Sequence, residues 1–385
     1  MDKEVIGRVL IVGDLFPVPS NFEKFSEGDI NYLFGDKIFA LFKNADYRIC
    51  NLEGAVTDNP GSCEKTGPVV FAPSSVLTAF KTMGVDCCTL ANNHITDAGP
   101  KAVIDTMNAL DRVEIKHIGA GENEHSIIHH LFFIIEDKTI CVYNVAETMY
   151  NAPTQTQAGA FLYDEYIVCK ELEELKVKSD LLIVIYHGGA EKYRYPSPQT
   201  RKRFHRMVDS GADIILSQHT HCVGTEEYYK GAYLLYGQGN FLFRSFNNEF
   251  TDTGLIIELL LNDSGFSVQK HLVNAVGDTV RYDDNQDFTA FNEWSSHLTD
   301  DVFLTEQFNK YCLSELPVYL RAYHGKIFGF RVIRRFLPKL YKKIYMTRYE
   351  RDQLLFTLHS LRSEQNREVA IRGVEEYLKL LKFRK

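Results

Sequence analysis

The chain has no window of eighteen uninterrupted apolar residues, so nothing in it reads as a membrane-spanning helix. Its first residues, "MDKEVIGRVLIVGD", carry no basic region ahead of an apolar one, which leaves no secretory leader in the reading. The eight cysteines at 50, 63, 87, 88, 141, 169, 222 and 312 form no C-x-x-C pair. They therefore read as buried thiols of a cytoplasmic protein. Positive charge is also in short supply: 43 Lys and Arg stand against 51 Asp and Glu, a net charge of −8. This argues against nucleic acid as the partner of the whole chain. There is no internal repeat and no low-complexity tract.

What the chain does have is a series of short Val, Ile and Leu runs that each end in polar side chains. "VLIVGD" ends at Asp14, "YRICNLEG" reaches Glu53, and "CCTLANNH" ends at Asn92, Asn93 and His94. "LLIVIYHGG" presents His187, and "DIILSQHTH" ends at His219 and His221. Runs of four to seven such residues favour buried strands. Between them lie helical patterns, among them "SSVLTAFKTMG", which Gly84 closes as a C-cap, and "PKAVIDTMNALDR". "HLFFIIEDKTICVYNVAE" and "GLIIELLLNDSGFSVQKHLV" each read as two strands and a tight turn. The expectation is an α/β fold with mixed sheets covered by helices on both sides. A polar, acidic stretch, "YDDNQDFTAFNEWSSHLTDD", sets a boundary near residue 280. Residues 1–280 then form the main domain and 281–385 a helical, basic C-terminal region.

In open α/β sheets ligands bind beyond the carboxyl ends of strands. Taken singly, the bland explanation wins each time. Asp14 would form a turn, Glu53 would be a solvated loop carboxylate, and Asn93 would close an Asx-turn. His187 would be a satisfied histidine at a glycine turn, and an isolated H-x-H is a weak signal. Together, five strand ends supply two carboxylates, an amide and four imidazoles, which is the donor set of a dinuclear metal site. Imidazole with carboxylate suits two divalent ions of Mn, Fe or Zn. Glu53 is the candidate bridge. His219 and His221, one residue apart on extended chain, would point the same way.

At this point the residues resemble a family. "GD", "NLEG-x-x-T", "LANNH-x-x-D-x-G", "GAGEN", "H-x-G", "GADIIL-x-x-H-x-H" and "YGQGNFLF" fall in the order of the capsule-synthesis CapA (poly-γ-glutamate) family. That family sits in the calcineurin-like metallophosphatase superfamily, and the likeness runs from residue 6 to about 260. It implies a four-layer α/β/β/α sandwich with two metal ions between the sheets. It also implies that Asp14, Glu53 and His221 serve the first metal, and that Glu53, Asn93, His187 and His219 serve the second. His94 would be the acid or anion-contacting histidine, and Asp97 would orient it. Two departures stand out: Phe16 occupies the place of a usual ligand histidine, and the bridge is a glutamate. Lys65 in "CEKTGPVVF" matches a family lysine and would contact an anion. Lys192 and Arg194, just after His187, could receive an anionic phosphoester or polymer. Asn240 would buttress the metal loop.

Two functions are compatible with this reading. One is a metal-dependent phosphoester hydrolase of capsule synthesis, and the other a non-catalytic accessory of polymer assembly or export. From Arg321 to Arg348 the chain carries nine Lys or Arg and no Asp or Glu, with aromatics interleaved. That tract reads as a packed appendage or as a peripheral contact with the anionic inner face of a membrane. The closing "REVAIRGVEEYLKLLKF" has helical periodicity and could pack back or pair with a second copy in a homo-oligomer.

Overall fold

The structure is a computed structural model, and it describes residues 4–62, 65, 67–149, 151–243, 248–324 and 351–382. Two sheets dominate the first compact unit, which comprises Met1–Cys63 and Val69–Asp301. In the larger sheet, strand Gly7–Leu15 lies between Thr253–Asn262, antiparallel to it, and Tyr47–Leu52, parallel to it. Cys87–Thr89 and Lys116–Ile118 continue the parallel side. The hairpin Thr253–Asn262 and Gly265–Val276 extends the other edge. In the six-stranded sheet, Lys138–Ala146, Leu181–His187, Ile214–Gln218 and Ala232–Leu235 run parallel. Hairpin partners His130–Ile135 and Glu226–Tyr229 close its two edges.

Alternation along the strands sorts side chains into layers. Val9 and Ile11 of the first strand join Ile140, Val142, Ile183, Ile185, Ile214 and Leu216 in the core between the sheets. Leu10 and Val12 face the other way. They pack with Leu33, Phe34, Ile38 and Phe42 of helix Ile30–Asn44 and with Phe80 of helix Leu77–Met83. Helix Pro100–Arg112 adds Val103 and Leu110 to the same layer. Helices Glu165–Lys176 and Pro198–Asp209 cover the six-stranded sheet, with Phe204 meeting the Tyr186 ring at 5.4 Å. Asp164 and Ser197 cap these helices through their side chains, and Gly84 in the left-handed region ends Leu77–Met83. The layer order is helix, sheet, sheet, helix, as the family resemblance implies.

The first unit extends past the composition shift near residue 280. Helix Thr289–Ser296 inserts Phe291 into the core between the sheets, and Ser295 Oγ accepts the Glu226 N–H at 3.0 Å. A polar segment there thus hides one apolar anchor. The second unit holds Glu64–Pro68 and Val302–Lys385, with helices Asp301–His324, Arg351–Arg362 and Glu364–Lys382. A Cβ on Gly373 would lie 2.6 Å from the Cys312 carbonyl, so two of these helices touch backbone to backbone. Most of the 321–348 tract lies outside the described residues. Among the described residues no helix is long and apolar enough to cross a membrane, and the seven described cysteines are all buried and free of disulfides.

Candidate metal centre

All five polar strand ends meet at one edge of the two sheets. Asp14 is delivered by a bulge: the pairing of Gly7–Leu15 with Tyr47–Leu52 shifts register between Val12 and Asp14. The intervening Gly13 has no room for a side chain, since a Cβ would come within 2.4 Å of the Gly239 carbonyl. Glu53 follows immediately after Tyr47–Leu52 and donates its N–H to the Leu15 carbonyl. Asn93 and His94 lie in the loop after Cys87–Thr89. His187 ends its strand, and His219 and His221 follow Ile214–Gln218.

The side chains form two adjoining triads with one shared member. Asp14, Glu53 and His221 offer ligand atoms within 4.8 Å of one another, and so do Glu53, His187 and His219. Asn93 completes the second group, its Oδ1 lying 2.8 Å from His187 Nε2. Asp14 and Glu53 are fully buried. His187 Nε2 lies 3.5 Å from Glu53 Oε1, and His221 Nε2 lies 3.9 Å from it. Yet neither oxygen of Glu53 receives a hydrogen bond among the described residues. A buried carboxylate without donors is costly, because the lost hydration is not replaced.

The electrostatics point the same way. Burial, reinforced by the charge of Asp14, pushes the Glu53 carboxyl well above its ordinary range. Burial also raises Asp14, although His221, Asn51 and His219 oppose it. His187 is driven well below the usual imidazole value by burial and then by the neighbouring imidazoles. Every one of these groups resists its charged state when nothing else is present. A cation shared by neutral imidazoles and ionised carboxylates would relieve that conflict, and the donor set fits a divalent ion.

The H-x-H motif works differently from the extended-chain expectation. His219 and His221 have φ values of 86° and 53°, both in the left-handed region that non-glycine residues seldom occupy. That backbone sends one imidazole to each triad instead of both to one side, and the ring centres stand 6.0 Å apart. The loop is held by the His219 N–H donating to Asp14 Oδ2 at 3.0 Å and the Lys192 N–H donating to the Thr220 carbonyl. His221 Nδ1 pairs with Asn240 Oδ1 at 2.8 Å. Asn240 Nδ2 is committed to the Thr251 carbonyl, which fixes its Oδ1 toward His221 and makes Nδ1 the donor. The Nε2 lone pair then faces Glu53, as in histidines that bind metal with their outer nitrogen hydrogen-bonded.

His94 is buried beside the triads, with Nδ1 2.7 Å from Asp97 Oδ2, and Asp97 also accepts the Val70 N–H. Phe243 stands between the two imidazoles, 5.1 Å from His221 and 6.1 Å from His94. Lys192 is exposed. Arg194 is engaged in a structural sandwich: its guanidinium lies 4.0 Å from the Trp294 ring centre and 4.8 Å from that of Phe250, and Nη1 donates to the Val223 carbonyl. Lys65 is half-buried and belongs to the second unit. Phe16 is buried in the helix-side core with its ring against Gly54, where a Cβ would come within 2.5 Å of it.

Several contributors escaped the sequence reading. Asn144, from the six-stranded sheet, accepts the Ala91 N–H at 2.8 Å and donates to the Ile185 carbonyl. Gly119 of the "GAGEN" motif leaves room for that contact, since a Cβ there would collide with Asn144 Oδ1 and Ala91 N. Asn151 donates to the Asn92 carbonyl at 3.1 Å. Glu191, exposed on the loop after His187, lies within electrostatic reach of His219, His221 and His94. The signal, in hindsight, was buried asparagine following apolar strands.

The chain is 27% identical over 267 residues to the capsule biosynthesis protein CapA of Bacillus anthracis, covering 67% of this chain and 64% of that protein. It is 27% identical over 222 residues to the PGA biosynthesis protein CapA of Bacillus subtilis strain 168, covering 56% and 58%. It thus spans less than two thirds of either relative. Among solved structures, a novel phosphatase from Mycoplasma pneumoniae is similar with a TM-score of 0.44 at 15% identity, covering 75% of this chain and 99% of that one. Residues 8–245 match the family described as bacterial capsule synthesis protein PGA_cap, and the chain belongs to that family.

Proposed function

We propose that this chain acts in capsule or poly-γ-glutamate-type polymer synthesis by hydrolysing an anionic phosphoester, with two divalent cations held by the strand-end cluster. The observation that carries the reading is the pair of triads sharing the buried Glu53, whose carboxylate has no donor among the described residues. Asp14, Glu53 and His221 would hold one ion, and Glu53, Asn93, His187 and His219 the other. Mn, Fe or Zn suits these donors. Bound there, the ions would supply Lewis-acid polarisation and acidify water. The chain's own contribution is then proton handling and orientation. With Nδ1 of His94 held by Asp97, Nε2 is the atom that exchanges a proton with the leaving oxygen. The burial of Asp97 and its second bond to the Val70 N–H keep that ring from turning.

One observation favours a second reading, an accessory role in polymer assembly without turnover. Phe16 stands where metallophosphatases place a further ligand, and its ring packs on Gly54 in the helix-side core. Elemental analysis together with aryl phosphomonoester and phosphodiester hydrolysis in added manganese separates the two. Two ions per chain and turnover that falls about 10²–10⁴-fold in His94→Ala support the hydrolase. Bound metal with no turnover on a broad phosphoester panel supports the accessory role. Within either reading the basic 321–348 tract is a candidate for anionic vesicle binding that fades with salt. Equal binding by a chain ending near residue 300 would reject it.

A further inference from the structure

The two triads are joined by more than Glu53. Asn51 is the last residue but one of strand Tyr47–Leu52 and is 1% exposed. Its Nδ2 lies 2.8 Å from Asp14 Oδ1, in one triad, and 3.3 Å from His187 Nδ1, in the other. The orientation of this amide follows from its neighbours. Asp14 is an acceptor, so the amino group must face it, since the reverse would bring two oxygens to 2.8 Å. The amide oxygen then turns toward Asn92 Nδ2 at 3.4 Å. Asn92 is itself fixed: its Nδ2 donates to the Leu52 carbonyl at 2.8 Å, its Oδ1 accepts the His94 N–H at 3.1 Å, and its carbonyl accepts from Asn151.

These contacts make a buried carboxamide chain, Asn151 to Asn92 to Asn51, ending on one member of each triad. We infer that Asn51 is a positioning residue that sets the two halves of the cluster against each other, so that both cations bind as a pair. The inference rests on the reading of the cluster as a two-cation site. The reasoning is geometric. Asn51 donates to Asp14, and its amide oxygen accepts from Asn92, whose bonds to the Leu52 carbonyl and the His94 N–H fix the loop that carries Asn93. With Oδ1 held by Asn51 and Oδ2 by the His219 N–H, the carboxylate plane of Asp14 is set as well. A single small amide thus ties Asp14 of one triad to the loop that carries Asn93 of the other group. A side chain without this amide leaves Asp14 Oδ1 short of one partner and removes one of the two acceptors of Asn92 Nδ2, loosening the loop that carries Asn93. Outer partners of this kind typically alter metal affinity by about 10–100-fold.

The test is manganese binding to the full chain, by calorimetry and by electron paramagnetic resonance, in the wild type and in Asn51→Leu and Asn51→Ser. Leucine matches asparagine in size without its donors. Serine is small enough to fold in the same space and reaches at most one of the two partners. The wild type is expected to bind two ions and to give the signal of an exchange-coupled pair. Both variants are expected to bind about 10–100-fold more weakly and to give the signal of isolated manganese, with cooperative thermal unfolding retained in Asn51→Ser. Variants that bind two coupled ions within about twofold of the wild type overturn the role of Asn51 while leaving the two-cation reading intact. A wild type that binds no manganese overturns that reading, and the inference with it.

Discussion

Two acids in this molecule, one half-buried and one fully buried, live under opposite conditions. Glu227, on the edge strand Glu226–Tyr229, accepts from Arg201 Nη2 at 3.0 Å, His205 Nε2 at 2.7 Å and the Tyr236 hydroxyl at 2.5 Å. Glu53 accepts from no one among the described residues. Burial acts against ionisation at both. At Glu227 the donors of Arg201, Tyr236 and His205 overcome it, and the carboxyl falls below its ordinary value. At Glu53 the Asp14 charge adds to it, and the carboxyl rises. The lesson is that a buried acid is not in itself a sign of function. What marks a candidate site is a buried acid whose partners are other acceptors and imidazoles, a setting that a bound cation would complete.

The sharpest way to break this contrast is Glu53→Gln. Because both triads share that carboxylate, cation affinity is expected to fall by more than about 100-fold, beyond the range typical of outer partners. The stabilisation that a saturating ion gives the wild type, about 2.7 kcal/mol at 100 times its Kd, should vanish with it in thermal unfolding. Undiminished manganese binding would remove Glu53 from the site. Next in size is Glu227→Gln. It leaves Arg201 with only the exposed Asp301 as its anion and should destabilise the fold by about 1–3 kcal/mol. Cation binding in this variant should be untouched.

The pH dependence of the metal-free protein should carry opposite signs at the two acids. The folded pKa of Glu227 is depressed. Its contribution is therefore present above an unfolded value of about 4.3 and is lost as pH falls through the folded one. The folded pKa of Glu53 is raised, so its contribution is present below about 4.3 and is lost as pH rises through the folded value. Denaturant unfolding across pH in the two glutamine variants checks this, since each should flatten its own limb alone. The smallest effect is expected in Asp97→Asn. That change weakens the hold on His94 and should lower hydrolysis roughly 10-fold, less than removal of a general acid, with manganese binding unchanged. A loss of binding instead would make Asp97 part of the metal centre.

Much of the architecture was readable because strand and helix periods leave a mark on neighbouring residues. The run "VLIVGD" announces a buried strand, and "PKAVIDTMNALDR" coincides with helix Pro100–Arg112. The site residues were readable one strand end at a time. The route by which His219 and His221 part company was hidden, because it depends on left-handed backbone imposed by contacts from Asp14 and Asn240. Helix Thr289–Ser296 lies beyond the composition shift near residue 280, yet its anchor Phe291 packs in the core between the sheets, a contact that a polar stretch does not announce. Arg194 looked like a cation for substrate, and only the folded chain brings Trp294 and Phe250 to its faces.

By itself the sequence determined which groups are available: strands ending in carboxylate, amide and imidazole, and the apolar alternation that packs them between two layers of helix. Those properties are local, set by each residue and its near neighbours. Only the tertiary structure decided which group stands next to which. It divided the imidazoles between two triads, left Glu53 without a donor among the described residues, and linked Asn51, Asn92 and Asn151 beside them. Such distances depend on how residues far apart in the chain are brought together, and no period in the sequence encodes them.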